Sequence, residues 1–189
     1  MCLILTSWQS HPEYPLVVLA NRDEFYERAT DPMGWWDDHP NILAGRDRAD
    51  VKGQSGTWMG ISKSGRFAAI TNVRAPSEKN PDAQTRGEIT AKFLKTSDSP
   101  EIFIDTHAHT FNRYNGFNLL ATDLSYKNPE LVWLSNRVLM GKNLRPRKVM
   151  NPQRLNPGIY GLSNGDRKST TSELQSHLNL VCRLLLEKK

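Results

Sequence analysis

The segment Leu16 to Arg28 sets the first constraint on the fold. Five apolar residues, Leu16 to Ala20, give way without transition to Asn21, Arg22, Asp23 and Glu24. A short apolar run bounded by polar groups reads as a strand buried on both faces. Polar groups at the end of such a strand need partners where they are buried. Strand ends are also rigid frames on which functional groups are held. The polar quartet therefore reads either as a solvated, ion-paired turn or as the rim of a site.

Around this segment the chain reads mostly as strands. Cys2 to Trp8 is a first strand, joined to Leu16–Asn21 through the prolines of Gln9 to Pro15, so that the two can pair as a hairpin. Glu24 to Ala49, with Pro32, Gly34, Pro40 and Gly45, reads as irregular, and Trp35-Trp36 within it as a packing anchor. Gly56 to Ser62 and Arg66 to Asn72 read as a hairpin turned by Lys63-Ser64-Gly65, with Gly56 and Gly60 allowing close backbone approach. Asn72 and Arg74 then echo Asn21 and Arg22 at a strand end.

Two helices follow. The first begins at Thr85 to Glu88, whose spacing predicts a capping box. The second starts with Ser99 as N-cap and Pro100 at the first helical position. His107 and His109 fall near its end and, two residues apart on a helix, point to different sides, which predicts surface histidines. Phe117–Asp123 and Leu131–Asn136 read as neighbouring strands, and Pro157 to Asn164 as a turn and a short strand. Leu174, Leu178, Val181, Cys182 and Leu185 lie on one stripe of an amphipathic helix over Thr171 to Lys189. Strands outnumber helices and the helices are grouped, which predicts an α+β class with layered sheets.

The chain's 189 residues suffice for one domain with a core. No apolar run approaches a membrane span, and Met1-Cys2-Leu3-Ile4-Leu5-Thr6 lacks the basic start of a secretory signal. The expected compartment is cytoplasmic. Cys2 and Cys182 make neither a disulfide framework nor a metal pattern, and no metal or cofactor is expected. From Arg137 to Lys189 eleven basic residues face three acids, which gives the net charge of +5 its uneven distribution. No nucleic-acid-binding motif accompanies that basic segment, so it reads as a solvated face.

Cys2 carries the most chemistry. Removal of Met1 would leave a thiol and a free α-amine on one residue. An α-amine with a pKa of about 7.7 to 8.0 serves as a base near neutral pH. A neighbouring cation, here Arg22, favours the thiolate. Asp23 or Asn21 is expected to hold the amine, and Asn72 or Asn164, with backbone N–H groups, to stabilise an oxyanion. That is an activated nucleophile with its own base. Cys2 also reads simply as a small apolar residue opening a strand.

With those residues assembled, the chain resembles the NRDE family, also called the transport and Golgi organisation protein 2 family. The resemblance rests on Met1-Cys2, Ala20-Asn21-Arg22-Asp23-Glu24-Phe25-Tyr26, Gly56 to Ile61 and Ala69 to Asn72. It continues through Arg86-Gly87-Glu88, Tyr114 to Leu119 and Tyr160 to Asn164. It implies likeness to N-terminal nucleophile hydrolases, an αββα sandwich with two antiparallel sheets between helical layers. It also implies that Cys2, Arg22 and Asp23 match catalytic positions of their acylases, although Asp23 follows Arg22 directly where that group places the acid further on. Two functions are implied: hydrolysis of a carbon–nitrogen amide bond by Cys2, or non-catalytic binding and trafficking of haem or a lipid-like ligand, as Golgi organisation, lipid and haem roles of eukaryotic members suggest. The chain shows no haem-ligating pattern. The expected partner is a small molecule, with no nucleic acid and no integral membrane segment. The family-like domain is expected to span residues 1–164. Gly165-Asp166-Arg167-Lys168 departs from the family pattern, so residues 165–189 are expected to form a divergent basic tail, leaving the sandwich incomplete with sheet edges exposed.

Overall fold

The structure, a computed structural model, describes residues 2–48, 56–73, 79–140 and 143–164. Six strands come first: β1 (Leu3–Trp8), β2 (Leu16–Asn21), β3 (Thr30–Trp35), β4 (Ile42–Asp47), β5 (Met59–Ser62) and β6 (Arg66–Asn72). Helices α1 (Gly87–Lys95) and α2 (Pro100–His107) follow, then a 3-10 segment, Ala108–Arg113. The chain returns to strands with β7 (Phe117–Asp123), β8 (Leu131–Ser135), β9 (Arg137–Met140), β10 (Asn143–Pro146), β11 (Gln153–Leu155) and β12 (Gly158–Ser163).

Seven strands form one sheet in the order β11-β8-β7-β6-β5-β4-β3, and three form a second in the order β12-β1-β2. Every pairing in both sheets is antiparallel. Strand alternation divides the core in two. Ala68, Ile70, Leu119, Ala121, Val132 and Leu134 face the helices and pack with Ile89, Phe93, Phe103 and Phe111. Phe67, Ala69, Leu120, Leu131 and Trp133 face the small sheet and pack with Ile4, Trp8 and Leu162. Covered on both sides, β6 and β7 are buried along almost their whole length. The class is α+β, with two antiparallel sheets face to face and helices on the outer face of the larger. A second helical layer is not found among the described residues, and the helix expected over Thr171 to Lys189, with Cys182 in its stripe, lies outside them.

Several expectations are corrected. Leu16–Asn21 is a strand but not one buried on both faces: as the edge of the three-stranded sheet it is half-buried. Glu24 to Ala49 is not irregular throughout, because β3 and β4 form a hairpin after irregular residues 24–29. Pro32 is tolerated there since β3 is an edge strand, and the register shifts between Asp31 and Gly34. Trp36 is the anchor, buried with its indole N–H donating to the Ala44 carbonyl at 3.1 Å, while Trp35 is half exposed. The expected capping box does not form: Arg86 is the N-cap of α1 and makes no side-chain cap bond. The Glu88 carboxylate is taken instead by Lys92 and by the Tyr114 hydroxyl. At α2 the Ser99 hydroxyl does accept from the Ile102 N–H, with Pro100 in the first turn.

One close approach fixes the start of α1. Gly56 and Gly87 cross backbone to backbone, and the Thr57 N–H donates to the Gly87 carbonyl at 3.1 Å. A Cβ on Gly56 would stand 2.6 Å from the Gly87 carbonyl carbon, where nothing flexible can give way. Gly56→Ala is therefore expected to destabilise the fold by about 1–3 kcal/mol by overpacking. The check is a lower urea midpoint at unchanged slope.

Candidate active site

The three-stranded sheet builds the site. β1 is its central strand, with Leu3 opposite Ser163 on one side and Asn21 on the other. One residue further along both ladders, Cys2 stands between Asn164 and Arg22. Directly opposed residues of antiparallel strands project to the same face. That face is the inner one, because Ile4, Thr6 and Trp8, which share the parity of Cys2, are all buried.

Cys2 is 7% exposed, yet it lines a cavity of about 560 Å³ that opens beyond the end of the inter-sheet core. The wall also includes Arg22, Glu24 and Arg28 after β2, Asp47 at the end of β4, Trp58, and Asn72 at the end of β6. Pro81 to Glu88, running into α1, closes the remaining side with Asn115.

Charge is concentrated here. Asp47 Oδ2 accepts from Arg22 Nη2 at 3.2 Å and from Arg28 Nε at 2.8 Å. Glu24 Oε2 lies 3.6 Å from Arg22 and 3.8 Å from Arg28. Two acids and two guanidiniums thus tie the polar end of β2 to β4. Burial pushes the Cys2 thiol pKa up. The chain's N-terminal charge, Arg22 and the Asn164 side chain work against that rise, and Glu24 adds to it. The thiol itself lies 3.9 Å from the Asp23 carbonyl oxygen.

Of the six residues expected at the site, Cys2, Arg22 and Asn164 come together, and Asn72 lines the same cavity. Asn164 is buried, and its Oδ1 has no hydrogen-bond partner among the described residues. Asn21 falls elsewhere. Asn21 pairs with Leu3 and therefore shares the outward parity of β1, and it is exposed. Asp23 is also exposed and reaches the thiol through its carbonyl oxygen. Neither lines the cavity. Arg74 lies outside the described residues. His109 is exposed, His107 packs on the Phe103 ring, and no group of metal-binding side chains occurs among the described residues.

The sequence reading missed Arg28, Asp47 and Arg86 as site residues. Asp47 belongs to a strand read as a loop. Arg28 had no signal beyond standing four residues after Glu24, the spacing of an ion pair. Arg86 was visible only as part of Arg86-Gly87-Glu88.

The family model described as Transport and Golgi organisation 2 matches residues 1–186. The chain is 37% identical over 172 residues to the mouse Transport and Golgi organization 2 homolog, and 36% identical over 168 residues to the human one. In each case 87% of this chain and 57% of the relative are covered, so the chain spans little more than half the length of these relatives. Among solved structures, a Caenorhabditis elegans N-acylethanolamine-hydrolyzing acid amidase ortholog aligns over 88% of this chain and 71% of that one. The TM-score is 0.49 at 8% identity, and nothing about chemistry follows from a likeness of that size.

The charges around the sulfur make one expectation measurable. Arg22 lowers the thiol pKa, whereas burial and Glu24 raise it. Removing Arg22 both deletes the cation and leaves Glu24 less compensated, so both changes raise the pKa further. In a Cys182→Ser background with Met1 in place, Arg22→Ala is expected to slow alkylation of Cys2 at pH 8 by roughly three- to tenfold. Labelling with iodoacetamide followed by mass spectrometry measures it, and the difference should close at a pH above both thiol pKa values.

Proposed function

This chain belongs to the Transport and Golgi organisation 2 family, and from that premise we propose that it hydrolyses a carbon–nitrogen amide bond with Cys2 as nucleophile. The observation that carries this reading is the position of the Cys2 sulfur: at the end of the central strand, between Arg22 and Asn164, on the wall of a cavity. A cavity of about 560 Å³ is of the size that takes a small organic ligand.

Removal of Met1 frees the α-amine of Cys2. The amine takes the thiol proton as the sulfur attacks the carbonyl carbon of the amide. Arg22 favours the negative sulfur. The Asn164 side chain, which lies against the thiol, and Asn72 across the cavity are the donors for the tetrahedral oxyanion. As the intermediate collapses, the carbon–nitrogen bond breaks and the α-ammonium gives its proton to the departing amine. Water then hydrolyses the thioester, activated by the same amine. The Asp23 carbonyl oxygen, 3.9 Å from the sulfur, is the acceptor at hand for the ammonium. The amide of Asn21, exposed on the outer face, is left without a direct part.

One observation favours a second reading. Burial is the largest influence on the Cys2 thiol and works against its ionisation. A neutral, buried thiol on a cavity wall suits a protein that holds a ligand without transforming it. The two readings separate on one residue. Under the first, the mature protein has lost Met1 by intact mass, turns over members of a panel of N-acyl amides, and loses that turnover on Cys2→Ala. Asn164→Ala is expected to lower kcat by about 10²–10³-fold. Retention of Met1, or turnover that survives Cys2→Ala, would overturn the hydrolase reading.

A further inference from the structure

Arg86 differs from the other guanidiniums of the cavity. Arg22 and Arg28 are both answered by Asp47 and Glu24. Arg86 lines the same cavity, partly buried, and among the described residues it has no carboxylate within 4.0 Å. It donates one hydrogen bond, from Nη1 to the Gly116 carbonyl at 3.1 Å. Burial pulls its pKa down and the like charges of Arg28 and Arg137 add to that, while Glu24 and Cys2 work against it from a distance. A guanidinium removed from water is ordinarily paired. Of the remaining acids on the wall, Glu88 is taken by Lys92 and the Tyr114 hydroxyl, and Asp82 is exposed to solvent. Arg86 also stands at the N-cap of α1, whose first turn faces the cavity, so the positive end of that helix adds to its field.

The structure assigns to Arg86, backed by the N-terminal turn of α1, the binding of a carboxylate, so that the cavity takes an amide bearing one carboxylate group, of the N-acyl amino acid class. The amide half of this assignment rests on the reading of Cys2 as nucleophile; the carboxylate half rests on Arg86. A planar guanidinium matches a carboxylate or a phosphate through paired N–H donors. The wall decides between them. Glu24 and Asp47 offset Arg22 and Arg28, Lys92 offsets Glu88 and Asp82 stands in solvent, so among the described residues Arg86 is left to balance one negative charge. A phosphate carrying close to two charges would meet net repulsion.

The test uses the full chain carrying Cys2→Ala, so that binding is measured without turnover. The probes are N-benzoylglycine, its neutral counterpart N-benzoylglycinamide, and inorganic phosphate, titrated calorimetrically at low salt. The carboxylate is expected to bind at least about tenfold tighter than the neutral amide, as a charge-assisted contact warrants. Arg86→Gln should erase that preference and Arg86→Lys keep part of it. Equal affinity for the charged and neutral probes with Arg86 intact overturns the assignment without reliance on any variant at that position. So does failure of both to bind, or a preference that survives Arg86→Gln in a variant with unchanged melting temperature. Tighter binding of phosphate than of carboxylate overturns the choice of ligand class. The chain with Cys2 intact separates the two layers of the argument. A carboxylate preference with no turnover of either benzoyl amide leaves the Arg86 assignment standing and counts against hydrolysis. Turnover of both at equal kcat/KM leaves hydrolysis standing and removes Arg86 from substrate selection.

Discussion

The register of one strand decides where everything else in the site falls. β1 is held on both sides, by β12 through six residue pairs and by β2 through six more. In that alignment the residue just before β1 meets the residue just after β12 and the residue just after β2. Cys2, Asn164 and Arg22 come from distant parts of the chain, and no local sequence signal joins them. A slip of one residue would turn Cys2 to the outer face and bring Leu3 into its place. The buried Ile4 and Trp8, which pack with Leu162 of β12 and with Phe67 and Ala69 of β6, make that slip expensive, because each would leave the core with it. The hydrophobic pattern of the small sheet thus sets the chemistry at its end.

The second constraint is electrostatic and joins the two sheets. Asp47 belongs to β4 of the large sheet, and Arg22 and Arg28 flank the loop that follows β2 of the small one. Both guanidiniums reach a single carboxylate oxygen, with Glu24 behind them. The groups are partly exposed, so their pairing adds little to global stability. Its consequence is positional. An arginine on a free loop would sample many rotamers, whereas Arg22 is held over the cavity with Cys2. Fixing it has a chemical cost: each acid that steadies the guanidinium also weakens its pull on the thiol, and Glu24 acts directly to raise the thiol pKa.

Most of the strand content was legible in the sequence, because alternation and apolar runs report burial directly. The hairpin of β5 and β6 was read from its turn, where Gly65 adopts a φ of 93°. The start of α2 was read from Ser99 and Pro100. The β3–β4 hairpin was not, because Pro32 and two glycines are ordinary loop residues and only an edge position makes them tolerable. The pairing of β12 with β1 was equally hidden: it joins the two ends of the described chain, and nothing local announces a contact over that separation. Within the site, Cys2, Arg22 and Asn164 could be suspected from strand ends. Their shared face could not be read until the sheet order was known, and the same parity argument sends Asn21 outward. Arg86 needed a helix start placed against a cavity wall, which depends on the Gly56–Gly87 crossing.

On the hydrolase reading, the raised thiol pKa and the buried position of Cys2 belong together. A permanent thiolate in this setting would require a strong cation beside it, and Arg22 is already shared with two acids. The alternative is a thiol kept neutral until a base removes its proton during attack, which places the whole demand on the base. A free α-amine on the same residue meets that demand without any further side chain, since an unperturbed α-amino group has a pKa of about 7.7 to 8.0, close to neutrality. Burial of the sulfur acts favourably in another way: charge that develops away from bulk water is felt strongly by the few donors aimed at it. The catalytic competence of such a site depends on a covalent event outside the fold, removal of the residue before Cys2. On the same reading, until that event the cavity, with the same arginines and the same asparagine beside it, keeps a quiescent sulfur on its wall.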